Sequence, residues 1–117
     1  MLNWEGQVRV YLHLGITDMR KGAASLRNLI PMEIKEGNVF VFRGRAANKV
    51  KVLWFDGQGS CLFYKNFDYG RIIWPNLSKA GGTCTLSKVQ LMMLLEGLEW
   101  RGLEHGSHEL RAKRYAE

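Results

Sequence analysis

Cations gather at two places in this chain where their spacing suits an anion. The first is Val39-Phe40-Val41-Phe42, then Arg43-Gly44-Arg45-Ala46-Ala47-Asn48-Lys49, then Val50-Lys51-Val52-Leu53-Trp54. Two apolar strands joined by a short basic loop would present Arg43, Arg45, Lys49 and Lys51 at one end of a hairpin. Arginine offers a planar fork of donors that matches phosphate, and lysine offers a point charge. The same charges would also serve to solvate a hairpin tip and discourage edge-to-edge aggregation. The second place is Thr17-Asp18-Met19-Arg20-Lys21-Gly22, where a helix is expected to begin. Two cations in a first helical turn oppose a macrodipole that favours negative charge there. An anion held by free backbone N–H groups together with Arg20 and Lys21 would resolve that conflict. Asp18 acting as cap and counter-ion would resolve it as well.

The strands around the basic loop repeat the theme. Lys49 and Lys51 share a face, because side chains alternate along a strand. Lys65 and Arg71 fall near them in a meander that pairs in sequence order. Trp54, Phe55, Phe63, Tyr64 and Trp74 interleave with these cations. Such a surface would stack bases or pack on a sugar–phosphate backbone, although most aromatics of this kind belong to the core.

Catalytic chemistry finds little support. Two-metal hydrolysis needs carboxylates that converge, yet each candidate has a local role. Asp18 caps a helix, Asp56 enters a hairpin turn, and Asp68 precedes Gly70 in a turn. His13 sits on a strand. His105 and His108 have a spacing that would share a metal on a helix, but Gly106 lies between them and no cysteine pair completes a tetrahedral set. No nucleophile elbow, phosphate-binding loop or dinucleotide fingerprint is present. The expectation is a non-enzymatic chain with no metal and no cofactor.

Several elements must position the cations. Gln7 to His13 alternates apolar and polar residues, with Val8, Val10 and Leu12 on one side, as a half-buried strand does. A helix is expected from about Met19 to Ile30, capped by Thr17 or Asp18 and stopped by Pro31. Strands follow at about 39–43, 49–56, 60–65 and 70–74. Asp56-Gly57-Gln58-Gly59 is a hairpin signal, and Pro75 ends the last strand. Sequential hairpins imply antiparallel pairing, since parallel strands need long crossovers. Residues 76–84 read as a loop. Ser87 and Gln90 then form a capping box, with Leu86 placed to staple on Leu91. The helix that follows carries Leu91, Met92 and Leu95 and ends near Gly97. Its apolar face suits a sheet or a partner protein. The expected fold is α+β: a single domain over 1–101, mainly an antiparallel meander with two principal helices. The polar stretch 102–117 reads as a flexible tail.

The totals agree with this. Hydrophobic residues make up 46% and charged residues 24% of 117, the balance of a folded domain. Lys and Arg number 17 against 11 Asp and Glu, a net charge of +6 that favours a polyanionic partner. No apolar stretch is long enough to span a membrane, and the first residues lack a signal-peptide pattern. A cytoplasmic, nucleoid-associated protein with Cys61 and Cys84 as free thiols is expected.

Five segments, in order, carry a resemblance: Thr17-Asp18-Met19-Arg20-Lys21-Gly22, Phe40-Val41-Phe42-Arg43-Gly44-Arg45, Lys51-Val52-Leu53-Trp54-Phe55-Asp56-Gly57, Leu62-Phe63-Tyr64-Lys65 and Leu94-Leu95-Glu96-Gly97-Leu98-Glu99-Trp100. Together they resemble the small accessory protein, labelled TnpB, from the second open reading frame of the sixty-sixth insertion-sequence family. The match covers about residues 8 to 101. The resemblance implies a bacterial mobile element in which such a protein is encoded beside a helix-turn-helix-like companion and a transposase with an acidic triad. It implies support of transposition and supplies no catalytic residue. Charge and placement, not the resemblance, select Arg20, Lys21, Arg43, Arg45, Lys49, Lys51, Lys65 and Arg71 for DNA at element ends. The alternative is a subunit that docks on the transposase or companion through Leu91, Met92 and Leu95.

Overall fold

The computed structural model describes residues 7–75 and 82–102. In chain order these contain β1 (Arg9–Ile16), α1 (Ala23–Arg27), β2 (Asn38–Arg43), β3 (Lys49–Phe55), β4 (Ser60–Asn66), β5 (Thr83–Leu86) and α2 (Lys88–Leu95). All five strands join one sheet in the order β4-β3-β2-β1-β5. The meander β2-β3-β4 is antiparallel, as its two tight connections require. β1, however, lies parallel to β2 and antiparallel to β5. The α+β class holds, and the sheet is mixed rather than antiparallel throughout. Segment 17–37 is long enough for the crossover, and it carries α1.

Both faces of the sheet are covered. On β2, Val39, Phe40, Val41 and Phe42 are all at most 3% exposed, so this strand is sealed above and below. Alternation divides the residues between two cores. Val10, Leu12, Val39, Val41, Val50 and Val52 pack with Leu91, Leu94 and Leu95 of α2 and with Ile72, Trp74 and Trp100. Phe40, Phe42 and Leu53 pack with Leu26 of α1, and Tyr11, Met19, Leu29 and Ile30 flank them. On that second face the Tyr11 and Phe40 rings stack at 5.5 Å.

The turns follow their sequence signals. At the β3–β4 turn the Asp56 carboxylate accepts from the N–H groups of Gln58 and Gly59, with Gly57 at φ +96°. Ser87 Oγ accepts from the Gln90 N–H while Gln90 Oε1 accepts from the Ser87 N–H, which completes the capping box. α2 closes with a Schellman motif. Leu98 N–H donates to the Met93 carbonyl and Gly97 N–H to that of Leu94, with Gly97 at φ +75°.

Four local expectations are corrected. The first helix runs only over Ala23–Arg27, and its N-cap is Gly22, not Thr17 or Asp18. Only a loose turn through Leu29 and Ile30 extends it. Residues 71–75 are irregular rather than a strand. Their apolar side chains roof the α2-side core, while the Ile72 N–H donates to the Ala47 carbonyl and the Ile73 carbonyl accepts from the Trp100 indole. Thr83 and Cys84, expected in a loop, belong to β5 on the far edge. The first strand runs to Ile16 and carries a bulge between His13 and Ile16. The expected tail beyond residue 102, with His105 and His108, lies outside the described residues.

Two predictions follow from the end of α2 and the segment after it. A Cβ at Gly97 would meet a Phe67 ring carbon at 3.2 Å and the Arg71 carbonyl oxygen at 3.3 Å, on a backbone that disfavours L side chains. Gly97→Ala is expected to lower unfolding free energy by about 1–3 kcal/mol in urea titrations. Glu99 accepts from Arg101 Nε at 2.8 Å and Nη2 at 2.7 Å, and these bonds hold its carboxyl below its ordinary value. Such a group stabilises fully above its unfolded value, near 4.5, and the contribution is lost as pH falls through the lower folded value. Glu99→Gln is therefore expected to cost roughly 1 kcal/mol at neutral pH, a deficit that shrinks in acid.

Candidate nucleic-acid interface

The two basic motifs meet at one end of the sheet. The Thr17 N–H donates to the Arg43 carbonyl at 2.8 Å, which sets the 17–20 turn beside the β2–β3 loop. The bulge in β1 immediately precedes this turn and redirects the chain there. Gly44 leaves space for Met19, whose Cγ would lie 2.8 Å from a Cβ at that position. The loop is also held from its other side. Asn48 carbonyl accepts from Phe67 N–H and Ala47 carbonyl from Ile72 N–H, both at 2.7 Å. A basic tip tied on two sides is preorganised, so an anion meeting it orders little further backbone.

Between turn and tip lies an open groove of about 590 Å³, lined by Ile16, Thr17, Asp18, Met19, Arg45, Ala46 and Lys49. Arg45 is exposed and Lys49 half-buried. Thr17 is only 4% exposed, and its hydroxyl has no hydrogen-bond partner. Asp18 spends its carboxylate on Arg20, accepting from Nε at 3.0 Å and Nη2 at 2.8 Å. These bonds, with that from the Arg20 backbone, hold the Asp18 carboxyl well below the usual carboxylate range. Arg20 stands 90% exposed but brings its own counter-ion.

The remaining cations are placed differently. Arg43 lies over the Trp74 ring at 5.0 Å, on the α2 side, and burial pushes its guanidinium down from its ordinary value. Lys51 is 7% exposed. Its Nζ donates to the Lys21 carbonyl at 2.7 Å and sits 5.0 Å from the centre of the Tyr64 ring. Lys65 points to the opposite face, because it pairs with Val50 while Lys51 pairs with Tyr64. Its Nζ donates to the Leu95 carbonyl at 2.7 Å and lies over Phe67 at 4.3 Å. Lys51 thus ties the segment leading into α1 to the sheet, and Lys65 takes a terminal carbonyl of α2, where the dipole favours a cation. Arg71 is exposed and adjoins the tip through the neighbouring Ile72–Ala47 bond.

Of the residues expected at a partner surface, Leu91 and Leu95 are buried at 0% and 5%, and Met92 is half-buried. No group of three or more His, Cys, Asp or Glu among the described residues converges for a metal. Burial lowers the His13 imidazole, and burial raises the Cys84 thiol, as it does that of Cys61, which also faces the Asp56 carboxylate.

Placement separates two kinds of lysine and arginine by experiment. Lys51→Met leaves the Lys21 carbonyl without its donor and is expected to reduce stability by about 1–3 kcal/mol in thermal unfolding. Arg45→Ala removes an exposed side chain and is expected to change stability by less than about 0.5 kcal/mol.

Comparison with known proteins completes the picture. The family model described as "IS66 Orf2 like protein" matches residues 8–105. The protein y4hO of Sinorhizobium fredii (strain NBRC 101917 / NGR234) is 48% identical over 98 residues, covering 80% of this chain and 84% of that one. The protein y4jC of the same strain is 26% identical over 97 residues, covering 80% and 81%. Both bear the name of uncharacterized proteins, and no solved structure matches. With the family model spanning the sheet, both helices and the groove, this chain belongs to the IS66 Orf2-like family.

Proposed function

We propose that this protein serves transposition as a non-catalytic accessory factor that binds DNA phosphates at the basic end of its sheet. The accessory role follows from family membership. The DNA contact rests on one observation: exposed Arg45 and half-buried Lys49 border a single groove. A phosphate there would be met by one fork and one point charge. Arg43 braces the tip against Trp74, and Arg71 extends the positive surface around it. Lys21 contributes a side chain next to a carbonyl already engaged by Lys51. Lys51 and Lys65 act by holding the covering segments in place. Phosphate contacts position a protein without reading bases, so affinity is salt-dependent and sequence preference modest.

Fluorescence anisotropy across a salt series, with an element-end duplex and a scrambled duplex, tests this reading. Arg45→Ala/Lys49→Ala is expected to weaken binding at least about tenfold at low salt and to reduce the salt slope by roughly 2. No binding of the wild type to either duplex at low salt overturns the proposal.

A second reading, docking on the transposase or its companion, draws on α2. That helix exposes Val89 at 62%, and Leu98, just past its end, is 52% exposed. Val89→Asp/Leu98→Asp is expected to abolish co-purification with the partner while the fold is kept. Retained co-purification counts against this surface.

A further inference from the structure

The two edges of the sheet are unlike. β5 is four residues long, follows directly on Gly82, and pairs with β1 at one edge. β4, at the other, is seven residues long, pairs without a bulge along its whole length with β3, and contains no proline. Among the described residues no strand pairs with its outer side. Natural edges are blunted by charge, proline, bulges or shortness, because an open ladder of N–H and C=O groups recruits another strand. β4 is long, unbulged and free of proline, and its single charge, Lys65, is drawn off the edge to the Leu95 carbonyl and the Phe67 ring. Ser60 and Asn66 are exposed at its ends, and between them Leu62 is 37% and Tyr64 47% exposed.

We propose that β4 is a self-pairing edge on which a second copy of this chain docks antiparallel, about a two-fold axis normal to the sheet and midway between the two copies' Phe63 residues. Symmetry and charge select this register. Opposed residues in an antiparallel pair share a face, so a two-fold of this kind must pass between a residue and its own copy. Centring on Phe63 pairs all seven residues of the strand. Ser60 then meets Asn66 of the second copy, Cys61 meets Lys65, Leu62 meets Tyr64, and Phe63 meets Phe63. Centring on Leu62 or Tyr64 leaves two residues of each strand unmatched. The Phe63 register sets each exposed apolar side chain against another on the same face and puts no like charges opposite one another. The result is a closed isologous dimer with a continuous ten-stranded sheet. The basic ends of its halves point in opposite directions, offset by roughly 20 Å along the strands. On the DNA-binding reading above, such a dimer would bridge two duplex segments, but the pairing does not depend on that reading.

Sedimentation equilibrium of the full chain without DNA tests the pairing. The wild type is expected at twice its 13.4 kDa mass. Leu62→Glu/Tyr64→Glu sets like charges opposite each other in the proposed register, places a carboxylate opposite Lys51 within the chain, and is expected to sediment at the single-chain mass, with unchanged circular dichroism. Leu62→Lys/Tyr64→Glu sets opposite charges across the same two positions and is expected to restore the dimer. A wild type that stays at the single-chain mass overturns the proposal, as does a Leu62→Glu/Tyr64→Glu variant that remains dimeric. Anisotropy on the Leu62→Glu/Tyr64→Glu variant separates the two ideas: it is expected to bind a short duplex as one chain through the intact groove.

Discussion

The two central strands must be dry on both faces, and most of the structure answers to that constraint. Val39 to Phe42 run as consecutive buried residues, and Val50 to Leu53 on β3 do the same with one lysine among them. A sheet sealed on both sides needs a layer above and below, and a chain of 117 residues has little material for two layers. One cover is a five-residue helix with loose flanks, and the other is an eight-residue helix joined by an irregular apolar segment. Neither length would persist alone in water. Side chains of the sheet secure both. Lys51 reaches through one face to a carbonyl before α1, and Lys65 reaches through the other to the last carbonyls of α2. Each buries a charged group only where a carbonyl and an aromatic ring receive it, the condition under which such burial is tolerated.

That arrangement explains what could be read from the amino-acid order and what could not. Local signals were legible. The alternation of Val8 to Leu12, the Asp56 turn and the Ser87–Gln90 box each act within a few residues and each took the expected form. The parallel pairing of β1 with β2 depends on the 17–37 crossover, and the helix expected there does not by itself fix whether the next strand enters the sheet parallel or antiparallel. Ile72, Ile73 and Trp74 have strand-like composition, but the backbone groups of Ile72 and Ile73 go to the Ala47 carbonyl and the Trp100 indole instead of a ladder. β5 escaped notice because Thr83 to Leu86 follow glycines and number only four. For the cations, alternation put Lys51 on the correct strand but could not say that its face was a core. A lysine in a strand reads as solvent-facing unless its acceptor is known, and Lys21 is thirty positions away.

The candidate interface was legible as two motifs and illegible as one site. The Arg43–Lys49 run and the Thr17–Gly22 run are both conspicuous, yet only the bulge in β1 and the Thr17–Arg43 backbone bond bring them side by side. The meeting changes the roles within each. Asp18 and Arg20 satisfy one another, Arg43 turns inward to Trp74, and Arg45 and Lys49 are left to line the groove. A formal excess of six positive charges therefore overstates the number of cations free to meet a polyanion, because several are occupied inside the fold.

The place of β1 in the sheet has a consequence for how the molecule is made. Its neighbours are β2, which begins at residue 38, and β5, which ends at residue 86. The three-strand meander is built from short-range contacts and can assemble as soon as it leaves the ribosome. β1 can join that meander early but keeps one bare edge until β5 has been made. During translation the chain thus carries a half-finished sheet whose open side is closed late, by a four-residue strand. Truncation before β5 would leave that side open, so this short strand caps an edge that would otherwise recruit another strand.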